Sequence, residues 1–533
     1  MKKLLLLAIS LCSYAVAFAQ PEASMSAKEL EKKLEEGAFE VSLYNTACYF
    51  ALAGNKKLAL NYLNKAIDDG FSNSKTMLED SDLKSLHNEK DWTLLLQKIQ
   101  EKETTKTKEN DLFFNRPEFW DSKFFKTAYR EDLSEVEKVA GLSRFWSEAK
   151  YNFVNFDLVP DVNIDSLYFE YLPKVKNTKS TLEYYKMLTE MCARLQDGHT
   201  NIIAPKELVE DVYARPLIRT RLIEDKVLIV QSDPEMQNKG LKVGMEVLTV
   251  NNTPVKEYAA KLVTPYESAS TSQDLAVRSF DYALLAGSVK QEIHLKLKDF
   301  KGNITDQTIS RVSPSERSKK LGSAPVEYKM LPGKVSYLAI NSFATDTGSR
   351  VFKEKYPEIS QSKALIIDLR NNGGGSSDWQ ILRYLIREPQ LIHKMYTRQY
   401  TASFRAWGRL QGTWGNTNGI KPVKDQLFSK PVIVLISART FSAAEDFAAA
   451  FKSLNRGLVI GEPSGGSTGQ PLGFQLPGGL SARVCTKRDQ YPDGSDFVGK
   501  GIAPDIVVLP TVSDIRKGID TQLEAALKEL RKQ

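Results

Sequence analysis

Residues 431–451 read PVIVLISARTFSAAEDFAAAF. The first six form a continuous apolar run, which suits a strand buried on both faces. The last ten are alanine-rich with phenylalanines at helical spacing. Between them Ser442 opens the helix. A serine at that point commonly caps the helix by accepting a hydrogen bond from an amide one turn in. The same strand-to-helix turn also brings helix amides and the helix dipole close to the hydroxyl, as in nucleophile elbows. An isolated hydroxyl is a poor nucleophile and needs a base, so this stretch leaves both readings open. Glu445 stands one turn beyond, placed to close a capping box or brace a site.

Working outward, VSYLAI (335–340), ALIIDL (364–369) and GLVI (457–460) repeat the buried-strand pattern. Helical patterns are expected at 377–387, 442–454 and 515–531, giving an α/β core with functional loops at its strand ends. Two of those ends are unusual. DLRNNGGGSSD (368–378) places three successive glycines after a strand, which opens backbone angles closed to other residues and leaves amides unshielded. GEPSGGSTGQP (461–471) is polar, glycine-rich and free of lysine. Neither is a phosphate-binding loop, since no Gly-Lys-Ser/Thr follows.

Upstream, residues 206–312 carry short-strand patterns, DKVLIVQS and EVLTV, with turn glycines at 240 and 244 and an Asn251-Asn252 turn. Residues 113–205 are helical and aromatic-rich, Phe145, Trp146, Tyr151, Phe153 and Phe156 reading as core, and they end in LQDGHT (195–200). EKETTKTKEN within 101–112 is charged, without apolar periodicity, and reads as a linker. In 20–100, Leu43, Ala47, Phe50, Gly54, Ala59, Leu63 and Ala66 have the spacing of one tetratricopeptide-like helix pair. MKKLLLLAISLCSYAVAFA, residues 1–19, has the form of a secretory signal peptide, so the mature protein is expected to be exported, periplasmic or extracellular.

Composition excludes several classes. The 533 residues hold 73 basic and 66 acidic side chains. Without Lys2 and Lys3 the excess is five, dispersed and without interleaved aromatics, which argues against nucleic-acid binding. No later stretch reaches the ~18 continuous apolar residues of a membrane helix. Cys48, Cys192 and Cys485 are far apart and read as small buried hydrophobes rather than a disulfide framework. The four histidines, His87, His199, His294 and His393, are scattered, so no metal or organic cofactor is expected.

DLRNNGGG, TFSAAE, GEPSGGSTGQ and GKGIAPD, in this order and spacing, resemble the S41 family of serine peptidases, the tail-specific and C-terminal processing proteases with a tricorn-like branch. The likeness covers roughly residues 130–510. It implies a crotonase-like α/β catalytic core over 313–533, an inserted PDZ-like β domain over 206–312 and an all-α N-terminal region. RPLIRT (215–220) stands near where PDZ relatives keep a Gly-Leu-Gly-Phe carboxylate loop, which is absent.

Carried over residue by residue, the resemblance makes Ser442 the nucleophile, with the amide of Ala443 and that of Gly373 or Gly374 as the oxyanion hole. Ser467 stands where the C-terminal processing branch keeps its dyad lysine, so the base passes to His199 of DGHT, as in the tricorn-like branch. Val498 occupies the place expected for the orienting glutamate, which leaves Asp496, Asp493 and Asp197 as candidates for that acid. The expected activity is that of a serine endopeptidase on unfolded or extended polypeptides. A non-catalytic binding scaffold on the same fold, as in retinoid-binding relatives, is the alternative.

Overall fold

The computed structural model describes residues 43–110 and 115–532. The N-terminal segment read as a signal peptide lies outside the described residues. The chain divides into two compact units, with the boundary between Trp120 and Asp121.

In the first unit, α1 (Leu43–Leu52) and α2 (Lys56–Asp68) form an antiparallel pair. Gly54 turns at φ 77°, and Asn55 caps α2 by accepting from the Leu58 amide at 3.2 Å. Ala47, Phe50 and Ala51 meet Ala59, Leu63 and Ile67, the small residues allowing close approach of the two helices. The expected linker at 101–112 is corrected: residues 101–110 continue α3 (Lys90–Asn110). The segment has no glycine or proline, and its lysines and glutamates are good helix formers. Glu103 further ties the helix to Ser74, accepting from its amide at 2.6 Å and its hydroxyl at 2.7 Å.

The second unit begins with α4 (Glu135–Asn152), α5 (Ile164–Lys176) and α6 (Thr181–Ala193). Phe145 and Phe153 are core and Trp146 and Phe156 pack against it, while Tyr151, read as core, is exposed and sits edge-on to Tyr400. A three-residue strand, β1 (Asn201–Ile203), follows DGHT. Then β2 (Ile218–Ile223), β3 (Lys226–Ser232), β4 (Glu246–Val250), β5 (Ile293–Lys298) and β6 (Ile304–Ile309) form an antiparallel sheet in that order. The Asn251-Asn252 turn is present, both residues at positive φ.

The site rests on the next sheet. Its strands are β7 (Val326–Leu331), β8 (Val335–Ile340), β9 (Ala364–Asp368), β12 (Val432–Ile436), β13 (Leu458–Gly461) and β17 (Ile506–Val507). All neighbours are parallel except β7 with β8, and Ile366 pairs with Ile433 in the centre. Alternate residues face opposite ways. Leu338, Ile340, Leu365, Ile367, Val434 and Ile436 meet α7 (Thr347–Gln361) and α8 (Ala443–Ser453), while Tyr337, Ala339, Ile366, Ile433 and Leu435 meet α9 (Thr521–Leu530). Burying Phe447 and Phe451 of α8 completely contributes roughly 2–3 kcal/mol each, an upper bound.

β10 (Gln390–Gln399), β11 (Gly412–Ile420) and β16 (Lys487–Gln490) form a three-stranded antiparallel sheet, and β14 (Pro471–Gln475) and β15 (Ser481–Cys485) extend β1. The helix expected at 377–387 is reduced to one 3-10 turn, Ile381–Tyr384. Its carbonyls are taken by outside amides, Val423 N to Arg383 O at 3.0 Å and Phe428 N to Tyr384 O at 2.8 Å. The helix expected at 515–531 is split by Gly518 at φ 69°. Cys48, Cys192 and Cys485 are buried free thiols.

Candidate active site

Ser442 ends the turn after β12 at φ 59° and ψ −130°, a conformation unusual for a residue with a Cβ. Its amide donates to Ser467 O at 3.1 Å and to Glu445 Oε2 at 3.2 Å. The side chain makes no cap hydrogen bond. Its Oγ instead lies 2.9 Å from His199 Nε2, a contact across 243 residues of chain.

The DGHT segment is shaped for that contact. Asp197 accepts from the His199 amide and Thr200 Oγ1, both at 2.9 Å, and from Asn155 Nδ2 at 2.9 Å. Thr200 Oγ1 accepts from the Cys485 amide at 3.1 Å, pinning the turn to β15. Position 198 needs glycine, since a Cβ there would lie 2.8 Å from the Phe441 ring. The imidazole stacks on Phe441, centroids 4.8 Å apart, and the Arg278 guanidinium lies 5.2 Å from the centroid of the same ring. His199 is 4% exposed. Burial, then the positive charges of Arg483 and Arg278, lower its pKa to about 3, so the ring is neutral at physiological pH.

The second ring nitrogen, Nδ1, lies 2.9 Å from Ser467 Oγ. Among the described residues no carboxylate meets the ring, which corrects three expectations. Asp496 instead accepts from Gln490 Nε2 at 2.8 Å and lies 3.7 Å from Arg488. Asp493 accepts from the Ser495 amide and hydroxyl, and Asp197 is occupied by its own turn. The family resemblance brought Ser467 to the site only as the residue standing where the dyad lysine would be. Its contact with Nδ1 is a tertiary fact.

Glu445 is completely buried and accepts from Ser464 Oγ (2.6 Å), Gly466 N (2.6 Å), Ser467 N (2.9 Å) and Ser442 N. It thus joins α8 to the 461–471 loop. Burial pushes its carboxyl up to about 8, against the opposing effect of these hydrogen bonds.

The glycine loop lies against Ser442. A Cβ on Gly374 would fall 2.6 Å from Ser442 Cβ. Asn372, fully buried, accepts from Gly374 N through Oδ1 at 2.8 Å and from Phe441 N through its carbonyl at 3.0 Å. The Gly374 amide is therefore already engaged. Those of Gly373 and Ala443 have no hydrogen-bond partner among the described residues. Phe441, Arg278 and Asn372 had no role in the sequence reading, which offered only the adjacency of Phe441 to Ser442 and of Asn372 to the glycines.

Among the described residues two groups could present metal ligands, Cys48 with Asp80 and Asp82, and His393 with Asp446 and Asp489. In the second, the Lys487 ammonium already lies 2.8 Å from Asp489 Oδ1, a cation held by the chain itself. Among the described residues no helix is long and apolar enough to cross a membrane.

A histidine between two hydroxyls beside unpaired backbone amides is an arrangement able to support serine hydrolysis. Residues 334–508 match the family model Peptidase family S41. The "Carboxyl-terminal-processing protease" of Picosynechococcus sp. is 24% identical over 62% of this chain and 74% of its own length. The "C-terminal processing peptidase, chloroplastic" of Tetradesmus obliquus is 24% identical over 55% of this chain and 57% of its own. The crystal structure of mature CPAF superposes with a TM-score of 0.57 at 17% identity, covering 75% of this chain and 96% of that one, a likeness of fold. The chain is a serine-type peptidase, a hydrolase. Within that class the likeness is to family S41, through the 334–508 segment.

Proposed function

We propose that this protein is an exported serine endopeptidase that processes polypeptides near their C-termini, with Ser442 as nucleophile and His199 as general base. The observation that carries the reading is the 2.9 Å contact of His199 Nε2 with Ser442 Oγ, its Nδ1 held by Ser467. In the productive tautomer Nδ1–H donates to Ser467 Oγ and Nε2 accepts the Ser442 proton. Ser442 Oγ then bonds to the scissile carbonyl carbon. The Gly373 and Ala443 amides donate to the developing oxyanion, a role that the engaged Gly374 amide leaves to its neighbour. As the C–N bond breaks, Nε2–H returns the proton to the leaving amine. Water repeats the sequence on the acyl-enzyme.

The absence of a carboxylate has a cost. Among the described residues the imidazolium formed during attack has only neutral hydroxyls in hydrogen-bond contact; Asp489 favours it through space, while Arg483, Arg278 and Lys487 disfavour it. The reaction therefore leans on the oxyanion amides and substrate binding more than a Ser-His-Asp site does. The α/β core is read as crotonase-like. The 218–309 sheet is read as a PDZ-like module that presents an extended substrate segment, with an edge strand able to add another.

The test uses purified protein and its Ser442→Ala variant with a serine-directed phosphonate and an unfolded polypeptide. Labelling and cleavage confined to the wild type are expected. Folded wild-type protein that does neither refutes the peptidase reading and favours a binding scaffold.

A further inference from the structure

Between the β2–β6 sheet and the catalytic core lies a cavity of about 630 Å³. Four arginines from three separate parts of the chain line it: Arg215 and Arg219 from the β2 region, Arg317 from the helix Pro314–Leu321, and Arg439 from the turn before Ser442. Two acids, Glu267 and Asp281, share the lining, so the guanidinium charge exceeds the carboxyl charge even with both acids ionised.

The partners of these arginines show what is spare. Arg317 donates to the carbonyls of Pro216 and Ile218, and Arg215 to that of Tyr282. Neutral carbonyls position a guanidinium without neutralising it. Arg439 Nη1 donates to Asn371 Oδ1 at 2.9 Å, which places it against the glycine loop. Arg219 stands apart. Its Nε is buried without a hydrogen-bond partner, and neither a hydrogen bond nor a salt bridge reaches its side chain among the described residues. Burial and the neighbouring Arg439 charge lower its pKa to about 9, with the Asp281 carboxyl acting the other way through space rather than by a hydrogen bond. Its neighbour two residues on, Arg221, by contrast pairs with Glu462 through two bonds of 2.8 and 2.6 Å. A planar guanidinium with its donors unused suits an oxyanion, which it can hold with two parallel hydrogen bonds.

We infer that this cavity is an anion-binding site, taking a carboxylate or phosphate group on Arg219, with Arg215, Arg317 and Arg439 around it. The two sources of that chemistry are a peptide's free terminal carboxylate and a free phosphate-type anion. Arg439 connects the site to the reaction centre, since it reaches Asn371 of the glycine loop and lies three residues before Ser442.

The site is defined by the cavity alone, and binding is measured on Ser442→Ala protein, so its failure leaves the peptidase reading standing. Calorimetric titration uses three probes at constant ionic strength: inorganic phosphate, a short peptide with a free C-terminus, and the same peptide amidated. Binding of phosphate or the free peptide, lost or weakened at least about tenfold by Arg219→Gln, supports the site. A free peptide that binds while the amidated one does not marks a chain end as the source; phosphate alone marks a free anion. Among the described residues Arg219 makes no hydrogen bond or ion pair that its replacement would break, and circular dichroism checks the fold. As a second readout, phosphate should raise the melting temperature of the protein with Arg219 intact above that in chloride, and the Arg219→Gln variant should lose that rise. Absence of binding by both phosphate and free peptide, or equal binding by both proteins, overturns the proposal.

Discussion

Replacing Ser467 by alanine isolates the contact that holds the base. In the resting site the substitution strands the Nδ1–H of a ring that is 4% exposed, beside a position that is completely buried. An unmade hydrogen bond there costs about 1–3 kcal/mol. The cost is greater during attack, when the ring is charged and its hydrogen bonds strengthen to about 1.5–3 kcal/mol. The part that appears only in the transition state, about 1–2 kcal/mol, lowers kcat roughly five- to thirtyfold at 1.4 kcal/mol per decade. KM should change little, because Ser467 has no exposed surface with which to touch substrate. Steady-state cleavage of a fluorogenic peptide measures both constants, and Ser467→Thr, which keeps the hydroxyl, should retain most of the rate. A Ser467→Ala enzyme with kcat within about twofold of wild type refutes the positioning argument. A loss as large as that of Ser442→Ala would mean that Ser467 enters the chemistry directly.

Four further outcomes follow from the same geometry. With the His199 pKa at about 3, kcat/KM should show no acid limb near pH 6.5; a titration there would mean that the ring is solvated or paired with an acid. Because that pKa is depressed below the ordinary value of about 6.5, the folded state binds fewer protons than the unfolded one between the two. Stability is then full above pH 6.5 and falls by up to roughly 5 kcal/mol toward pH 3, and urea unfolding of His199→Gln should lack that component. Gly374→Ala, with its Cβ 2.6 Å from Ser442 Cβ and φ at 97°, should lower activity at least about a hundredfold and stability by about 2–3 kcal/mol, both measurable on one preparation. Asp496→Asn should leave kcat within about twofold, since that carboxylate meets Gln490 and Arg488 and not His199.

The sequence alone determined the α/β layering, the strand-to-helix turn at Ser442 and the pairing of that serine with one histidine. Each is encoded locally: apolar runs for doubly buried strands, glycines where no Cβ fits, a motif order shared with a family. Even so, local pattern misled at 101–110, where a polar segment without apolar periodicity is helix because its lysines and glutamates favour one and Glu103 anchors it to Ser74. It misled again at 377–387, where amides from the 420s take the carbonyls a helix would have used. The hairpin Gln390–Ile420 carried no signal that separated it from a loop.

Only the tertiary structure decided what holds His199. Which side chain meets Nδ1 depends on how the 461–471 loop is drawn in by Glu445, whose carboxyl oxygens accept from the Gly466 and Ser467 amides and so aim Ser467 at the ring. The engagement of the Gly374 amide by Asn372 and the gathering of four arginines around one cavity were equally out of reach. These are contacts set by backbone geometry and by packing between segments far apart in the chain, and no local periodicity or spacing carries them.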